Sequence, residues 1–253
     1  MDYKLILSIL FILLILIIMI NYKNIENFRQ NNFEDIEFYV LYIPKREQYI
    51  KNVMKNFSFK PNYILGPKKN NLSLDYLIKN NIITSKYAKK NNIGRIACHL
   101  GHLKILEEFM KTDKKYAIIF EDDIRFDNHK KIEKNMKNVL SNLPDKFDII
   151  YFDYCWSFCK KKNYNKYLDY SNNTLCRHFY LITKNGAKII LNNTLPMYKN
   201  GDEMYVNLQK NNKLITYDVK PNIFNIQQNR ILLGSELNNN GKISPPKCVN
   251  KKI

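Results

Sequence analysis

The sequence predicts an α/β fold, with a mostly parallel β-sheet and helices on both of its faces. Short apolar runs alternate with segments whose apolar residues recur at helical spacing, and this alternation is typical of parallel strands that helices connect. One apolar run, residues 116–120, ends in three adjacent acids. Open α/β sheets bind their ligands at the carboxyl ends of the strands, so this run also predicts where the functional site lies.

The elements of the first half follow from apolar runs and from the residues that interrupt them. Glu37–Ile43 is a predicted strand that Pro44 ends, and the apolar spacing of Glu47–Phe57 predicts a helix. A short strand at Ile64–Leu65 runs into a turn, and a further helix is predicted over Leu72–Asn80.

The central part of the chain holds the longest helical pattern. Gly94 opens a helix that runs through Phe109 and carries His99 and His102 among its apolar residues, and the strand at 116–120 follows directly. The remaining predicted elements are a helix over Lys130–Leu143 ended by Pro144, a strand over 147–152, a loop over 153–175, a strand over Phe179–Thr183 and a helix over Gly186–Asn192.

The N-terminus is strongly apolar. Leu5–Ile20 is interrupted only by Ser8, and as a helix it would span about 24 Å, close to the thickness of a bilayer core. No small-residue cleavage site follows, so we predict an uncleaved transmembrane signal anchor over 1–22, with a cleaved signal peptide as the alternative. Residues 23–35 are polar and are predicted to form a stem, and residues 36–253 a single folded domain.

The composition is basic but diffuse. The 253 residues carry a formal net charge of +18, mostly as Lys interspersed with Asn, a bias that an AT-rich genome explains. No nucleic-acid-reading motif or Arg-rich stripe accompanies the charge, so we predict no nucleic-acid partner. The five cysteines show no Cys-x-x-Cys spacing, so a thiolate metal site is not predicted. In an oxidising compartment, Cys155 or Cys159 would pair with Cys176.

The three acids at the end of the central strand are Glu121, Asp122 and Asp123. Adjacent carboxylates repel one another, so a cation is expected among them, and oxygen ligands favour hard ions such as Mg²⁺ or Mn²⁺. The pattern therefore predicts a bound metal ion that in turn coordinates a phosphate group of a ligand. The alternative is a solvated acidic turn.

Several segments, in the same order, resemble glycosyltransferase family 25, which includes bacterial lipopolysaccharide galactosyltransferases and procollagen galactosyltransferases. Gly94–His102 is similar to the family's G-E-I-G-C-x-x-S-H, and Tyr116–Asp123 to its apolar strand followed by E-D-D. The other similar segments are Asp148–Phe152, Cys176–Leu181 with Gly186–Ala187, and Leu195–Glu203. The Cys-x-His-x-Tyr and Asp-Glu segments point to the eukaryotic and large-virus branch.

The chain departs from the family pattern at four positions, one of which is Tyr49, where the family has a second Arg. Tyr42 stands where the family has Asn, Arg95 where it has Glu, and Gly101 where it has Ser. The donor pocket is therefore expected to differ in which sugar or base it prefers, whereas the acidic triplet is intact.

The resemblance implies a GT-A-like, Rossmann-type fold and a metal-dependent, inverting glycosyltransferase. The enzyme would move a sugar, galactose in the first instance, from a UDP-sugar to a hydroxyl of a glycan or protein acceptor. Glu121 and Asp123 would hold Mn²⁺ or Mg²⁺, while Arg46, His102 and Asp122 would bind the donor. With the anchor, the catalytic domain of a single-pass membrane protein would lie in the lumen of the endoplasmic reticulum or Golgi.

Inverting transfer needs a carboxylate that takes the proton from the acceptor hydroxyl. Asp202 is the first candidate and Glu203 the second, because both follow the metal-binding strand on the segment that begins at Gly201. The alternative reading makes Asp202 the N-cap of a helix over Met204–Leu208.

Each donor residue also has a structural alternative. Arg46 would be a surface residue at a helix start, and His102 and His178 would be satisfied core residues. For the whole chain, the first rival is a catalytically silent protein that uses the fold for binding or adhesion. A second rival is a metal-dependent nuclease, which a membrane anchor disfavours.

Overall fold

The computed structural model describes residues 11–15, 33–90, 92–158, 162–171, 173–221, 223–224, 226–228 and 247–249. Within these residues, no helix is long and apolar enough to cross a membrane. Of the predicted anchor over 1–22, only residues 11–15 are described, and they are helical. The rest of the anchor and residues 23–32 of the stem lie outside the described residues, so the anchor stays a prediction.

The described elements alternate between strand and helix for most of the chain. The strands are β1 (Ile36–Tyr42), β2 (Asn62–Leu65), β3 (Tyr116–Glu121), β4 (Ile124–Phe126), β5 (Ile149–Tyr151), β6 (Trp156–Phe158), β7 (Leu168–Ser171), β8 (Phe179–Thr183), β9 (Thr216–Val219), β10 (Ile226–Gln228) and β11 (Lys247–Val249). The helices are α1 (Glu47–Met54), α2 (Leu74–Lys79), α3 (Ser85–Ala88), α4 (Ile93–Lys111), α5 (His129–Leu140), α6 (Lys184–Asn193) and α7 (Gly201–Lys210), with 3₁₀ turns at Pro44–Arg46 and Lys69–Asn71.

Seven strands form the central sheet, in the order β2-β1-β3-β8-β5-β9-β7. β1 pairs in parallel with both β2 and β3, and β5 pairs in parallel with β9. β8 is antiparallel to its neighbours β3 and β5, and β7 is antiparallel to β9. The predicted α/β class is confirmed, but the prediction of a mostly parallel sheet is wrong: three strand pairings are parallel and three are antiparallel, so the sheet is mixed. Two small two-stranded sheets, β10-β4 and β11-β6, flank it.

Alternation along the central strands sends side chains to two separate cores. On β3, Ile118 and Phe120 pack on the face that α1 and α5 cover. Ala117 and Ile119 pack on the opposite face, against α4, α6 and α7. Because successive residues of a strand point to opposite faces, an unbroken apolar strand fits a sheet that is covered on both sides.

The structure differs from the sequence-based prediction mainly between β5 and β8. The stretch 153–175, predicted as a loop, contains β6 and β7, whose three or four residues are too short for a periodic apolar signal. This stretch returns the chain without a helical crossover, so β8 enters the sheet antiparallel. Strand β9 was not predicted. The disulfide joins Cys155 to Cys176, which decides between the two pairings left open, and Cys159 lies outside the described residues.

The packed domain begins slightly before the predicted boundary at residue 36. The ring of Phe33, inside the predicted stem, lies edge-on against Phe38 and Phe59, with centroid separations of 5.2 and 5.6 Å. The backbone N–H of Ile36 donates to the carbonyl of Phe33 at 3.2 Å. Phe33 is therefore part of the domain.

Candidate active site

A cavity of about 460 Å³ lies where β1 and β3 end. The two strands are parallel neighbours, with Leu41 paired to Glu121, so their carboxyl ends meet at one edge of the sheet. The lining includes acids, basic side chains and amide side chains. The lining residues are Leu41 to Arg46, Gly66 to Asn71, Gly94, Ala97, Cys98, Glu121, Asp122 and Asp123. This composition suits a ligand that carries both a phosphate and a metal.

Asp122 is hydrogen-bonded to residues that directly follow β1. Its Oδ1 accepts a hydrogen bond from Arg46 Nη1 at 2.7 Å, and its Oδ2 accepts one from the backbone N–H of Ile43 at 2.7 Å. Burial raises the pKa of Asp122 to about 6, although the charge and hydrogen bond of Arg46 act to lower it. Both carboxylate oxygens of Asp122 already accept hydrogen bonds. Asp122 is therefore better suited to positioning Arg46 than to binding a metal.

Arg46 also offsets the electrostatic repulsion within the acidic triplet. Its Nη1 lies 3.8 Å from Asp123 Oδ2 as well as 2.7 Å from Asp122. The guanidinium is buried, with 6% of its side-chain area exposed. A protein cation therefore offsets the neighbouring negative charges, and their repulsion does not by itself demand a divalent ion. The surface role that the sequence also allowed for Arg46 is excluded by this burial.

Glu121 points towards helix α4 and not towards its acidic neighbours. Its Oε1 lies 2.9 Å from Nε2 of His102, whose Nδ1 lies 3.1 Å from the hydroxyl of Tyr180. Burial and the charge of Arg177 lower the pKa of His102. Burial would raise the pKa of Glu121, but the hydrogen bond from His102 and the charges of His178 and Arg177 lower it to about 2. The arrangement is thus a neutral His102 that donates Nε2–H to an ionised Glu121 and accepts from Tyr180.

Glu121 and Asp123 are the carboxylates that would hold a hard divalent ion. Among the described residues, the three acids do not converge their oxygens on one point, since the converging clusters are Cys98 with His102 and Glu121, and Cys155 with Cys176 and His178. Glu121 and Asp123 nevertheless both line the cavity. Mg²⁺ and Mn²⁺ are commonly held by one or two carboxylates together with substrate phosphates, and these two side chains match that requirement.

Arg177, which the sequence analysis did not single out, is a buried cation of the same region. Its Nη1 lies 3.1 Å from Nδ1 of His99, and its guanidinium stacks 4.8 Å from the centre of the Tyr205 ring. Burial acts against the charge, yet the pKa of Arg177 is raised because Tyr205, Cys98 and Asp202 outweigh burial. A charged residue directly before the apolar strand β8 was the available signal.

Asp202 and Glu203 lie in the first turn of α7, and their surroundings differ. The N-cap of α7 is Asn200, so the alternative that made Asp202 the helix cap is wrong; a cap must precede the first helical residue, which is Gly201. Glu203 accepts a hydrogen bond from the Asn200 side chain, whose own oxygen accepts from Tyr87 at 2.8 Å. Glu203 therefore fixes the helix start.

Asp202 is half-buried and does not line the cavity, but its charge acts on Arg177, His102 and Cys98. Gly201 makes this approach possible. A Cβ at Gly201 would lie 2.5 Å from Arg177 Nη2 and 2.6 Å from His99 Nδ1, so any larger residue would push α7 or Arg177 away. The Gly-Asp pair thus sets a carboxylate beside a buried cation.

His178 stands on the other side of the acidic strand end. Its Nε2 lies 2.8 Å from Asp153 Oδ2. Burial lowers its pKa, but the hydrogen bond and charge of Asp153, with Glu121 and Asp123, outweigh burial and raise it. His178 is buried, as the structural alternative expected, but only its Nε2 has a hydrogen-bond partner, and its buried Nδ1 has none among the described residues.

Three departures from the family pattern, Gly101, Tyr42 and Arg95, have distinct surroundings. A Cβ at Gly101 would lie 2.6 Å from Leu41 Cδ1, so the Leu41 side chain fills the space that a serine would need. Tyr42 lines the cavity and packs edge-on against Tyr63 at 6.2 Å. Arg95 lies close enough to Tyr87 for its charge to act on that hydroxyl.

The fold and site define an α/β protein with an acid- and lysine-lined cavity at the carboxyl edge of its sheet, next to a buried arginine and a half-buried carboxylate. The model of glycosyltransferase family 25, described as an LPS biosynthesis protein family, matches residues 44–205. The match covers more than half of the chain, which therefore belongs to glycosyltransferase family 25, as the sequence motifs predicted.

Two further comparisons add little to this assignment. No curated protein matches the chain. Among solved structures, the crystal structure of A197 from STIV is similar with 11% sequence identity and a TM-score of 0.34, over 72% of this chain and 81% of that chain. A similarity this distant carries no argument about fold or activity.

Proposed function

We propose that this glycosyltransferase is metal-dependent and inverting, and that it moves a sugar from a UDP-sugar to a hydroxyl of a glycan or protein acceptor. Galactose is the sugar that the family resemblance suggests. The observation that carries the proposal is the cavity where β1 and β3 end, because two carboxylates, Glu121 and Asp123, line it together with several basic side chains. A GT-A-like arrangement of donor and acceptor around this edge of the sheet is part of the proposal.

On the donor side, the basic residues supply charge for a diphosphate. Lys45, Lys68 and Lys69 line the cavity together with Arg46, and guanidinium and ammonium groups are the usual partners of phosphate oxygens. Glu121 and Asp123 would hold Mn²⁺ or Mg²⁺, whose chemistry is to neutralise charge on the departing diphosphate. Asp122 keeps Arg46 in place through its 2.7 Å hydrogen bond.

His102 acts through Glu121. It is fully buried and lies 2.9 Å from Glu121 Oε1, so it has no direct access to a donor in the cavity. Its role in this proposal is to hold the Glu121 carboxylate in one orientation, with Tyr180 fixing the tautomer of the ring. His102 is therefore a positioning residue, which modifies the expectation of a direct donor contact.

On the acceptor side, Asp202 is the proposed general base. As the acceptor oxygen attacks the anomeric carbon, the bond between that carbon and the diphosphate oxygen breaks, and the hydroxyl proton passes to the Asp202 carboxylate. Asp202 lies in the first turn of α7, where its charge acts on the buried Arg177. Glu203 is the weaker candidate because Asn200 already engages its carboxylate.

We also propose a membrane-anchored protein whose catalytic domain lies in the lumen of the endoplasmic reticulum or Golgi. The apolar stretch Leu5–Ile20 supports the anchor. The disulfide between Cys155 and Cys176 supports an oxidising compartment, because cytosolic thiols are kept reduced.

The direct test is a panel of sugar nucleotides incubated with the detergent-solubilised full-length chain, with and without Mn²⁺. We expect hydrolysis or transfer with a UDP-sugar that stops when the metal is chelated. Asp123→Ala should lose turnover and metal-dependent UDP binding, whereas Asp113→Ala, an exposed carboxylate before β3, should keep both. Metal-independent turnover would refute the metal assignment, and binding without turnover of any donor would favour the silent binding protein.

A further inference from the structure

Cys98 and His102 form a second group of ligating side chains together with Glu121. The first two are four residues apart on α4 and therefore lie on one face of the helix. Glu121, at the end of β3, contacts both of these side chains through its Oε1. One ligand atom of each residue lies within 4.8 Å of the other two.

We infer that Cys98, His102 and Glu121 form a binding site for a borderline-soft transition metal ion of the Zn²⁺ type. The three residues offer one sulfur, one nitrogen and one oxygen, a donor set typical of Zn²⁺ and Co²⁺. Mg²⁺ and Mn²⁺ prefer oxygen ligands alone. The site thus differs in chemistry from the one proposed for the donor, although the two share Glu121.

Two of the three distances between the ligand atoms are close to those of tetrahedral coordination. Typical zinc bond lengths place a sulfur and an oxygen ligand about 3.6 Å apart, and Cys98 Sγ lies 3.7 Å from Glu121 Oε1. A nitrogen and an oxygen ligand would be about 3.3 Å apart, whereas His102 Nε2 and Glu121 Oε1 are 2.9 Å apart. A shift of a few tenths of an ångström suffices for these two distances, and Cys98 Sγ and His102 Nε2 lie within 4.8 Å of each other.

The surroundings provide orientation and access. Metal-ligating histidines are normally oriented by a hydrogen bond at their other ring nitrogen, and here the Tyr180 hydroxyl lies 3.1 Å from His102 Nδ1. Cys98 and Glu121 both line the cavity. The cavity gives an ion a path to these two ligands and room for a water, and the buried His102 is reached past Glu121, to which it is bonded at 2.9 Å.

The charges and protons of the site balance on binding. Counting Glu121, Asp202 and Arg177 alone, the cluster carries one net negative charge without the ion, and Arg177 Nη2 lies 4.0 Å from Cys98 Sγ. The ion displaces one proton from the Cys98 thiol to solvent, and the His102 proton moves from Nε2 to Nδ1, where it is donated to Tyr180. The cluster then goes from one net negative charge to neutrality.

Binding at this site would engage the Glu121 oxygen that the donor's ion needs, so Zn²⁺ is expected to inhibit sugar transfer. This consequence rests on the proposed function. The site itself does not, because its test needs only the protein and a metal.

The test uses Co²⁺ as a spectroscopic probe in the full-length chain with Cys159→Ser and Cys248→Ser, so that Cys98 is the remaining thiol. We expect a near-ultraviolet thiolate-to-cobalt band that saturates with one Co²⁺ and disappears when Zn²⁺ is added. Cys98→Ser, nearly isosteric, should abolish the band. His102→Gln should weaken Co²⁺ binding by at least about 10- to 100-fold, while His129→Gln should not change it.

Absence of the band from the parent protein would overturn the inference, and so would a band that survives Cys98→Ser. Because His102 is buried, Glu121→Gln serves as a second ligand variant, and circular dichroism checks that each variant is folded. No sugar nucleotide is present, so a negative result leaves the proposed transferase activity untouched, and an inactive transferase leaves this result untouched.

Discussion

Asp202 is the residue whose surroundings most favour a catalytic role. It lies in the first turn of α7, where its Oδ1 accepts from the backbone N–H of Glu203 at 3.0 Å and its charge acts on the buried Arg177. Glu203, its sequence neighbour, is bonded to the side chain of Asn200. The sequence ranked Asp202 first and Glu203 second, and the contacts of the two acids give a physical reason for that order.

Replacing Asp202 by Asn should keep UDP and Mn²⁺ affinity and lower transfer to the acceptor by roughly 10² to 10⁴-fold, because the amide has the same shape but cannot take a proton. Steady-state transfer rates and calorimetric UDP binding measure the two effects. Glu203→Gln is the matched control and should leave the rate within a few-fold, since its amide oxygen still accepts from Asn200. Near-normal transfer by Asp202→Asn would assign the base to another residue.

Arg46 and Asp122 form a buried ion pair at the cavity wall. Arg46→Met should lower the free energy of unfolding at pH 7 by about 3–5 kcal/mol, because Asp122 is left as an uncompensated buried charge. Adding Asp122→Asn should recover part of this loss, since the amide oxygen still accepts from Ile43 without a charge. Chemical denaturation of the two variants compares them directly.

The pH dependence of Arg46→Met gives an independent check. Asp122 already has its pKa raised to about 6 by burial, and losing Arg46 raises it further. An acid with a raised folded-state pKa contributes stability at low pH that is lost as the pH rises through that pKa. The deficit of Arg46→Met should therefore shrink between pH 7 and pH 5. A deficit that is constant with pH would argue against a charged Asp122 as its cause.

At the scale of elements, α4 connects the two halves of the site. Its residues face the acidic strand end through His102 and the start of α7 through His99. Both histidines are fully buried. Helix α4 was predicted from its apolar spacing, but the periodicity gave no sign that two of its core positions would be polar partners of Glu121 and Arg177.

His99 should make folding stability depend on pH. Burial and the charge of Arg177 hold its pKa well below 6.5, so the unfolded chain takes up this proton first as the pH falls. The contribution is fully present above about pH 6.5 and is lost below it, by up to about 1.4 kcal/mol per pH unit. His178, with its raised pKa, acts in the opposite direction.

Denaturant unfolding between pH 7.5 and pH 5.5 measures this slope. His99→Gln keeps an acceptor for Arg177 and should reduce the loss of stability below pH 6.5 by about one proton's worth. His129→Gln, a less buried histidine outside the site, should change the slope less. An unchanged slope in His99→Gln would mean that other groups control acid unfolding.

At the scale of the whole molecule, the packed domain includes Phe33, the first residue described after residues 11–15. A chain lacking residues 1–28 should fold, because it keeps Phe33 and the contacts of that ring with Phe38 and Phe59. A chain lacking residues 1–35 should be less stable by about 1–3 kcal/mol, the usual contribution of a buried aromatic ring. Thermal unfolding of the two truncations measures the difference, and equal stabilities would return the boundary to residue 36.

The family and the site's location follow from the sequence because they depend on local patterns. An unbroken apolar run ending in Glu121-Asp122-Asp123 is a strand that delivers acids to one edge of a sheet, whatever its partners are. The strand and helix positions of the first half follow for the same reason, since their periodicity is long enough to read. The short β6 and β7 carry no such signal.

Only the tertiary structure decided how the acids are used. Neighbouring residues of a strand point to opposite faces, so Glu121 meets His102 and Cys98 while Asp122 meets Arg46, and no sequence spacing connects residues that lie 19 or 76 positions apart. The same holds for the antiparallel entry of β8 and for Arg177, which becomes a buried partner of Asp202 only when β8 and α7 come together across the sheet. The local sequence pattern determines the element on which a side chain lies, whereas long-range packing determines which residues it contacts.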